Sequence, residues 1–197
     1  MALTLSSEIV TLHTRHPFII ARGGRSEYQV LLVRLCDSDG TEGYGEAYPS
    51  SYYGESIAGV QEAFQAAARV LPVDVFDLEG AEARFAEVAP KSAAARAALS
   101  MALHDVVGQK LRQPLWRLWG LDARRAPPSS FTIGIDTPEK MKAKVLEARE
   151  YAIYKINSAP IRTRRCCARS GKSPISRCAW MPTPAGRASG RSPCCRC

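Results

Sequence analysis

Tyr154-Lys155-Ile156-Asn157 is the stretch on which the reading of this chain turns. Before it, the sequence carries the helical and strand periodicities of a folded α/β protein. From Asn157 to Cys197 those periodicities stop. Charge divides at the same point. Residues 1–156 carry 18 Lys+Arg and 19 Asp+Glu, a sum of −1, whereas residues 157–197 carry nine Lys+Arg and no acid, a sum of +9. The formal charge of +8 therefore belongs to the last 41 residues. Cysteine divides likewise: Cys36 lies in the first part, and Cys166, Cys167, Cys178, Cys194, Cys195 and Cys197 lie in the second.

Working back from Tyr154, Ala152 to Ile156 reads as a strand. Thr137-Pro138-Glu139 opens a helix, with Thr137 as N-cap and Pro138 at the first helical position, and that helix is expected to run to about Glu150. Ser130 to Ile135 reads as a further strand. Strand, helix and strand with short joints make a βαβ unit, which implies a parallel sheet. Ala126-Pro127-Pro128 reads as the linker before it.

Upstream of the linker the spacing is helical. Lys91 to Leu111 is a long Ala-rich helix, followed by Pro114 to Leu121, which is expected to pack down on it. Leu78 to Val88 is a shorter helix. Ile57, Val60, Ala63, Phe64, Ala67 and Val70 define the apolar face of another. The start of the chain is β-rich: Leu3 to His13, Tyr28 to Leu35 and Thr41 to Tyr48 read as three strands of an antiparallel meander. A flexible basic loop is expected over Ala21 to Arg25, and Asp37-Ser38-Asp39-Gly40 is a turn.

The expected fold class is thus an α+β domain, a three-stranded antiparallel meander plus helices, followed by an incomplete β/α barrel and an irregular C-terminal tail. The expected boundaries are 1–125, 126–156 and 157–197. A chain of 197 residues can bury a substantial core. Met1 to Phe18 shows no basic region followed by an apolar one, and no apolar run reaches 18 residues, so neither a signal peptide nor a membrane span is expected. One cysteine in the patterned part fits a reducing compartment, and a cytoplasmic location is expected.

Pro17-Phe18-Ile19-Ile20-Ala21-Arg22-Gly23, Gly43-Tyr44-Gly45-Glu46-Ala47, Tyr53-Gly54-Glu55, Ala98 to Gly108, Gln113-Pro114-Leu115-Trp116 and Phe131-Thr132-Ile133-Gly134, in this order, resemble the enolase superfamily. The similarity is to dipeptide epimerases of the muconate-lactonizing subgroup. It implies a capping domain ahead of a β/α barrel, a small dipeptide substrate such as Ala-Glu, and epimerisation at the α-carbon of its C-terminal residue. A proton α to a carboxylate is too weakly acidic for a lysine unless a metal offsets the developing charge, and the family implies Mg²⁺ for that purpose. The second barrel strand of the family ends in Lys-x-Lys, whose side chains share one face of the strand.

Lys155 matches the first of those lysines, whereas Asn157 replaces the second. No acidic residue follows, so no metal ligand is assigned and the chain as it stands is expected to be inactive. The resemblance also assigns substrate contacts to Arg22 and Arg25, to Tyr53, and to Thr132. Each has a plainer reading: an exposed basic turn for Arg22 and Arg25, packing rings for Tyr52 and Tyr53, a β-former for Thr132, and an exposed strand-end cation for Lys155. His104-Asp105 looks like a dyad, but neighbours on a helix point apart, so His104 is expected to be structural.

The last 41 residues lack the apolar spacing needed to offset ordering entropy. Their cysteines lack the C-x₂₋₄-C spacing of zinc sites. With nine cations and one aromatic, Trp180, they could bind a polyanion only without sequence preference. A non-enzymatic capping domain that presents this basic tail to nucleic acid is the alternative function. No specific nucleic acid, no membrane and no native oligomer are expected as partners.

The tail has the composition of a GC-rich gene translated out of frame. Trp180-Met181-Pro182 must be written TGG-ATG-CCN, and starting each codon one base earlier yields GAT-GCC, Asp-Ala, without freedom. The same shift permits Leu-Arg-Val before that pair and Asn-Ala-Gly-Trp after it, which resembles the family's third barrel strand. Across Ile156 to Ile161 it permits Lys-Leu-Gly-Thr-Asp, which would restore Lys-x-Lys. A one-base frame change at about Ile156 is therefore expected.

Overall fold

The computed structural model describes residues 3–21 and 23–157. Arg22 and all that is expected of residues 158–197, including the irregular tail and its cysteines, lie outside the described residues. The chain divides into two compact units: residues 1–14 with 27–126, and residues 15–26 with those from 127 onward.

The sheet is built from β1 (Thr4–Ile20), β2 (Gly23–Cys36) and β3 (Glu42–Ala47), in the order β1-β2-β3. β2 pairs antiparallel with β3, from Leu31 opposite Ala47 to Cys36 opposite Glu42. The meander is the one expected from sequence, but its first hairpin is longer. β1 reaches Ile20 and β2 starts at Gly23, so Gly23, Gly24 and Arg25 of the basic loop expected over Ala21 to Arg25 lie on a strand instead. Backbone pairing does not need apolar alternation, and the side chains here are mostly exposed, so periodicity could not mark the ladder's true end.

In the first unit, α1 (Ile57–Ala67), α2 (Leu78–Val88) and α3 (Ala93–Leu111) follow the strands. Each starts on a side chain that accepts from a backbone N–H of its first turn: Ser56 from Gly59, Asp77 from Gly80 and Ser92 from Ala95. Alternate β2 residues Leu31, Val33 and Leu35 are buried with Val60, Phe64, Phe85, Leu99, Leu103 and Val106 from the helices.

β3 lies directly on α3. A Cβ placed on Gly43 would fall 2.2 Å from the Ala102 carbonyl oxygen, and one on Gly45 would fall 1.9 Å from that of Ala98. Only glycine permits this approach, and Ala98 and Ala102 present the small surface that receives it. The Asp105 carboxylate accepts the Tyr44 N–H at 3.0 Å, fastening the strand between the two glycines.

The Asp37–Gly40 turn is closed by Gly40 N–H donating to the Asp37 carbonyl at 2.9 Å. At the end of α3, Lys110 Nζ reaches Asp37 at 2.5 Å and Asp39 at 2.6 Å. The Lys110 ammonium holds the Asp37 carboxyl below its ordinary 3.8, against burial, which pushes it up. The two carboxylates in turn raise Lys110 above its ordinary 10.5.

After α3, α4 (Leu115–Leu118) returns against it as expected, but without burying its large side chains: Trp116, Leu118, Trp119 and Leu121 are exposed. The turn is closed by its backbone instead, with Gln113 N–H donating to Gly108 and Leu121 N–H to Trp116. The His104 ring meets Trp119 edge-on at 5.6 Å.

The second unit contains β4 (Ser130–Ile133), α5 (Pro138–Glu147) and β5 (Ile153–Ile156), with β4 and β5 parallel as expected. β4 ends before Ile135 because the Ile135 N–H donates to the Ile19 carbonyl of the hairpin tip at 2.8 Å. α5 ends before Glu150 because the Ala148 carbonyl is taken by the Tyr154 hydroxyl at 2.8 Å and by the Tyr151 N–H at 3.1 Å. Glu147, at the end of α5, accepts from Arg15 Nη1 at 2.6 Å and lies 2.7 Å from His16 Nε2.

Two outcomes follow for stability. Gly45→Ala forces β3 off α3 and is expected to cost about 3 kcal/mol, read as a lowered denaturation midpoint, whereas Gly40→Ala meets no neighbouring atom and costs only the strain of its left-handed φ of +83°, about 1–2 kcal/mol. The Lys110 clip is fully made between pH 3.8 and 10.5; its Asp37 part is lost as pH falls through that group's lowered value, and its Lys110 part as pH rises through the raised one. Asp37→Asn should therefore lower the melting temperature at pH 7, and its deficit against the unchanged chain should shrink in strong acid; Asp39→Asn, at the more exposed carboxylate, should do so less.

Candidate active-site face

Residue parity splits the β4–β5 sheet into two faces. Phe131 and Ile133 of β4, opposite Tyr154 and Ile156 of β5, pack against Met141, Val145 and Ala148 of the helix side. The alternate residues therefore project to the other face. There Thr132 is the register partner of Lys155, and Ser130 that of Ile153. Thr132 is half-buried and Lys155 exposed.

The ladder continues one residue past β5, where the Asn157 N–H donates to the Ile133 carbonyl at 3.0 Å. Extended residues two apart share a face, so Asn157 follows Lys155 on the Thr132 side. Its Nδ2 is buried and has no hydrogen-bond partner among the described residues. Such a group costs about 1–3 kcal/mol. The position is thus poorly suited to the amide it carries.

These side chains stand at the C-terminal end of parallel strands, where β/α folds place their ligands. An ammonium beside a hydroxyl can hold a carboxylate and orient it. A second cation two residues on would place both charges on that face; Asn157 supplies none.

The residues present do not fit a Mg²⁺ site. Among the described residues no group of three or more His, Cys, Asp or Glu side chains could hold a metal, and residues 157–197 contain neither Asp nor Glu. Asp136, in the loop after β4, is engaged by Lys144 at 3.0 Å and Lys140 at 3.7 Å, and the Lys144 hydrogen bond holds its carboxyl below the usual range. It braces the start of α5. Nothing in the spacing marked Lys144 as a buried cation, because its pairing with Asp136 exists only once the helix has turned back past its own cap.

Of the residues singled out in sequence, Thr132 and Lys155 are brought into register. Arg25 is exposed on β2 in the same unit, and Arg22 lies outside the described residues. Tyr53 belongs to the other unit, exposed in a 3₁₀ turn (Ser51–Tyr53), its ring edge-on to Tyr52 at 4.9 Å. His104 and Asp105 diverge as expected: His104 Nδ1 lies 2.8 Å from the Ser100 carbonyl, and Asp105 accepts from Tyr44. Among the described residues no helix is long and apolar enough to cross a membrane.

The model of the mandelate racemase / muconate lactonizing enzyme N-terminal domain matches residues 5–120. The chain is 37% identical over 136 residues to an L-Ala-D/L-Glu epimerase of Bacteroides thetaiotaomicron, an alignment covering 69% of this chain and 35% of that protein. It is 38% identical over 132 residues to the L-Ala-D/L-Glu epimerase of Escherichia coli, covering 66% and 38%. A dipeptide epimerase from Methylococcus capsulatus, solved with Mg and the dipeptide L-Arg-D-Lys, superposes with a TM-score of 0.72 at 31% identity, covering 79% of this chain and 46% of that one. The chain thus spans less than half the length of the relatives it matches. Through its meander and helices, this chain belongs to the mandelate racemase / muconate lactonizing enzyme family as an N-terminal domain of the enolase-superfamily capping type.

Proposed function

We propose that residues 1–156 are the capping domain and first β/α unit of a dipeptide epimerase, and that the 197-residue chain does not itself turn over. The observation that carries this reading is the register of Thr132 with Lys155 on the face away from α5. In this reading Lys155 is the first lysine of the family's Lys-x-Lys, whose charge acts on the lysine two residues on, and the Thr132 hydroxyl contacts the dipeptide. Mg²⁺, where a relative binds it, offsets the charge that develops on the carboxylate as the α-proton leaves. This chain's own residues hold no such ion, and the second cation of the strand is replaced by Asn157. Arg22, Arg25 and Tyr53 are proposed as further substrate contacts, each on the strength of the family resemblance.

A hybrid tests the first half of the proposal. Residues 1–156, joined to the remaining length of the Methylococcus capsulatus enzyme, should catalyse α-proton exchange of a dipeptide in deuterated buffer. Lys155→Ala in that hybrid should lower kcat by about 10²- to 10⁴-fold, and Thr132→Val should mainly raise KM. A folded hybrid without exchange sinks the reading. The 197-residue chain assayed with Mg²⁺ and Ala-Glu should give no epimerisation, and any reproducible turnover overturns that part. Salt-sensitive DNA binding by residues 1–197, absent from residues 1–156, would favour the basic-tail alternative.

A further inference from the structure

The acidic donors that a divalent ion would need are missing from residues 157–197, and what stands in their place is patterned. We infer that the coding sequence of residues 157–197 is read one base out of register, and that its neighbouring frame encodes the helix and strand that follow β5. This deepens the proposed function and rests on it for the chemistry. Its own support is residue spacing and the genetic code.

When every codon is started one base earlier, the first base of a present codon becomes the middle base of the shifted one. A middle T always encodes Phe, Leu, Ile, Met or Val. Cys and Trp codons begin with TG, so the shifted codons ending on Cys166, Cys167, Cys178, Trp180, Cys194, Cys195 and Cys197 all read NTG. Each must be Leu, Met or Val. Because a Cys codon ends in T or C, those on Cys167 and Cys195 are Leu without freedom. The cysteines of residues 157–197 are, in the other frame, apolar residues.

Serines written TCN behave the same way. Apolar positions then fall at 166, 167, 170 and 173, one face of a helix by spacing, and next at 176, 178 and 180, the alternation of a strand. The polar positions agree. Lys172 begins with AA, so the shifted codon there, unless it is a stop, encodes Lys, Gln or Glu, between two apolar positions of the helix. Ile161 and Thr163 permit Asp or Asn just ahead of the helical face, where an N-cap belongs. The forced Asp on Met181 closes the alternating run.

The order and the length match the unit already formed. β5 begins 23 residues after β4, and the alternating run begins 23 residues after β5. α5 lies between β4 and β5, and the helical spacing of the shifted frame lies between β5 and the alternating run. The change of frame also falls where the ladder reaches Asn157, whose buried amide has no partner among the described residues.

Sequencing the gene from genomic DNA across codons 150–197 tests this. The expected result is TCN at Ser158, Ser170, Ser173 and Ser176 and no stop codon in the shifted frame. AGY at any of these serines, or a stop, overturns the inference. The readout involves no activity, so it can fail while the hybrid enzyme works, and a silent hybrid can sink the proposed function while the codons hold.

Discussion

The first unit depends on how closely β3 approaches α3. With Gly43 and Gly45 against the carbonyls of Ala102 and Ala98, strand backbone meets helix backbone and no side chain keeps them apart. The larger residues of α3, Leu99, Leu103 and Val106, are then free to pack with β2, α1 and α2, whose Leu31, Val33, Leu35, Phe64 and Phe85 are buried with them. Polar contacts within this seam and beyond it hold the register: Asp105 on the Tyr44 N–H, and Lys110 on Asp37 and Asp39. A close-packed interior of this kind tolerates little change in volume, so the glycines constrain everything packed around them.

The second unit solves a different problem. Its short parallel pair uses one face for packing, with Ile133 and Tyr154 against α5, and carries Thr132 and Lys155 on the other. The same period-2 rule that buries Tyr154 turns Lys155 outward. Lys155 therefore owes its position to its neighbours' burial. The next residue of that face is Asn157, and neither Asp nor Glu follows it.

Much of this was legible in the sequence, for identifiable reasons. The helices declared themselves through apolar spacing, and α5 also through its cap Thr137, whose side chain accepts from the Lys140 N–H as that residue type predicts. The βαβ unit declared itself through Thr137-Pro138 between two short β-rich runs. Three features were hidden. The hairpin outlasted its apolar alternation because paired backbones need no side-chain pattern. The α4 turn is closed by backbone bonds and leaves Trp116 and Trp119 outside, so its apolar composition gave a false signal of burial. The end of β4 was set by a distant partner, the Ile19 carbonyl, which no local window contains, and that of α5 by the Tyr154 hydroxyl, a nearby bond that no apolar period marks.

The split of the chain between its units carries a consequence for how it can be cut and how it folds. The segment from residue 127 draws part of its structure from residues 15–26, including the acceptor for Ile135 and both cationic neighbours of Glu147. A fragment starting at the Pro127-Pro128 joint would look like a clean excision in linear order, yet it would arrive without those groups. Their encounter also requires closing a loop of more than one hundred residues, an entropic cost that grows only slowly with loop length but delays assembly. The hairpin tip is thus translated early and completed late, and the C-terminal unit is a composite that no single contiguous piece can reproduce.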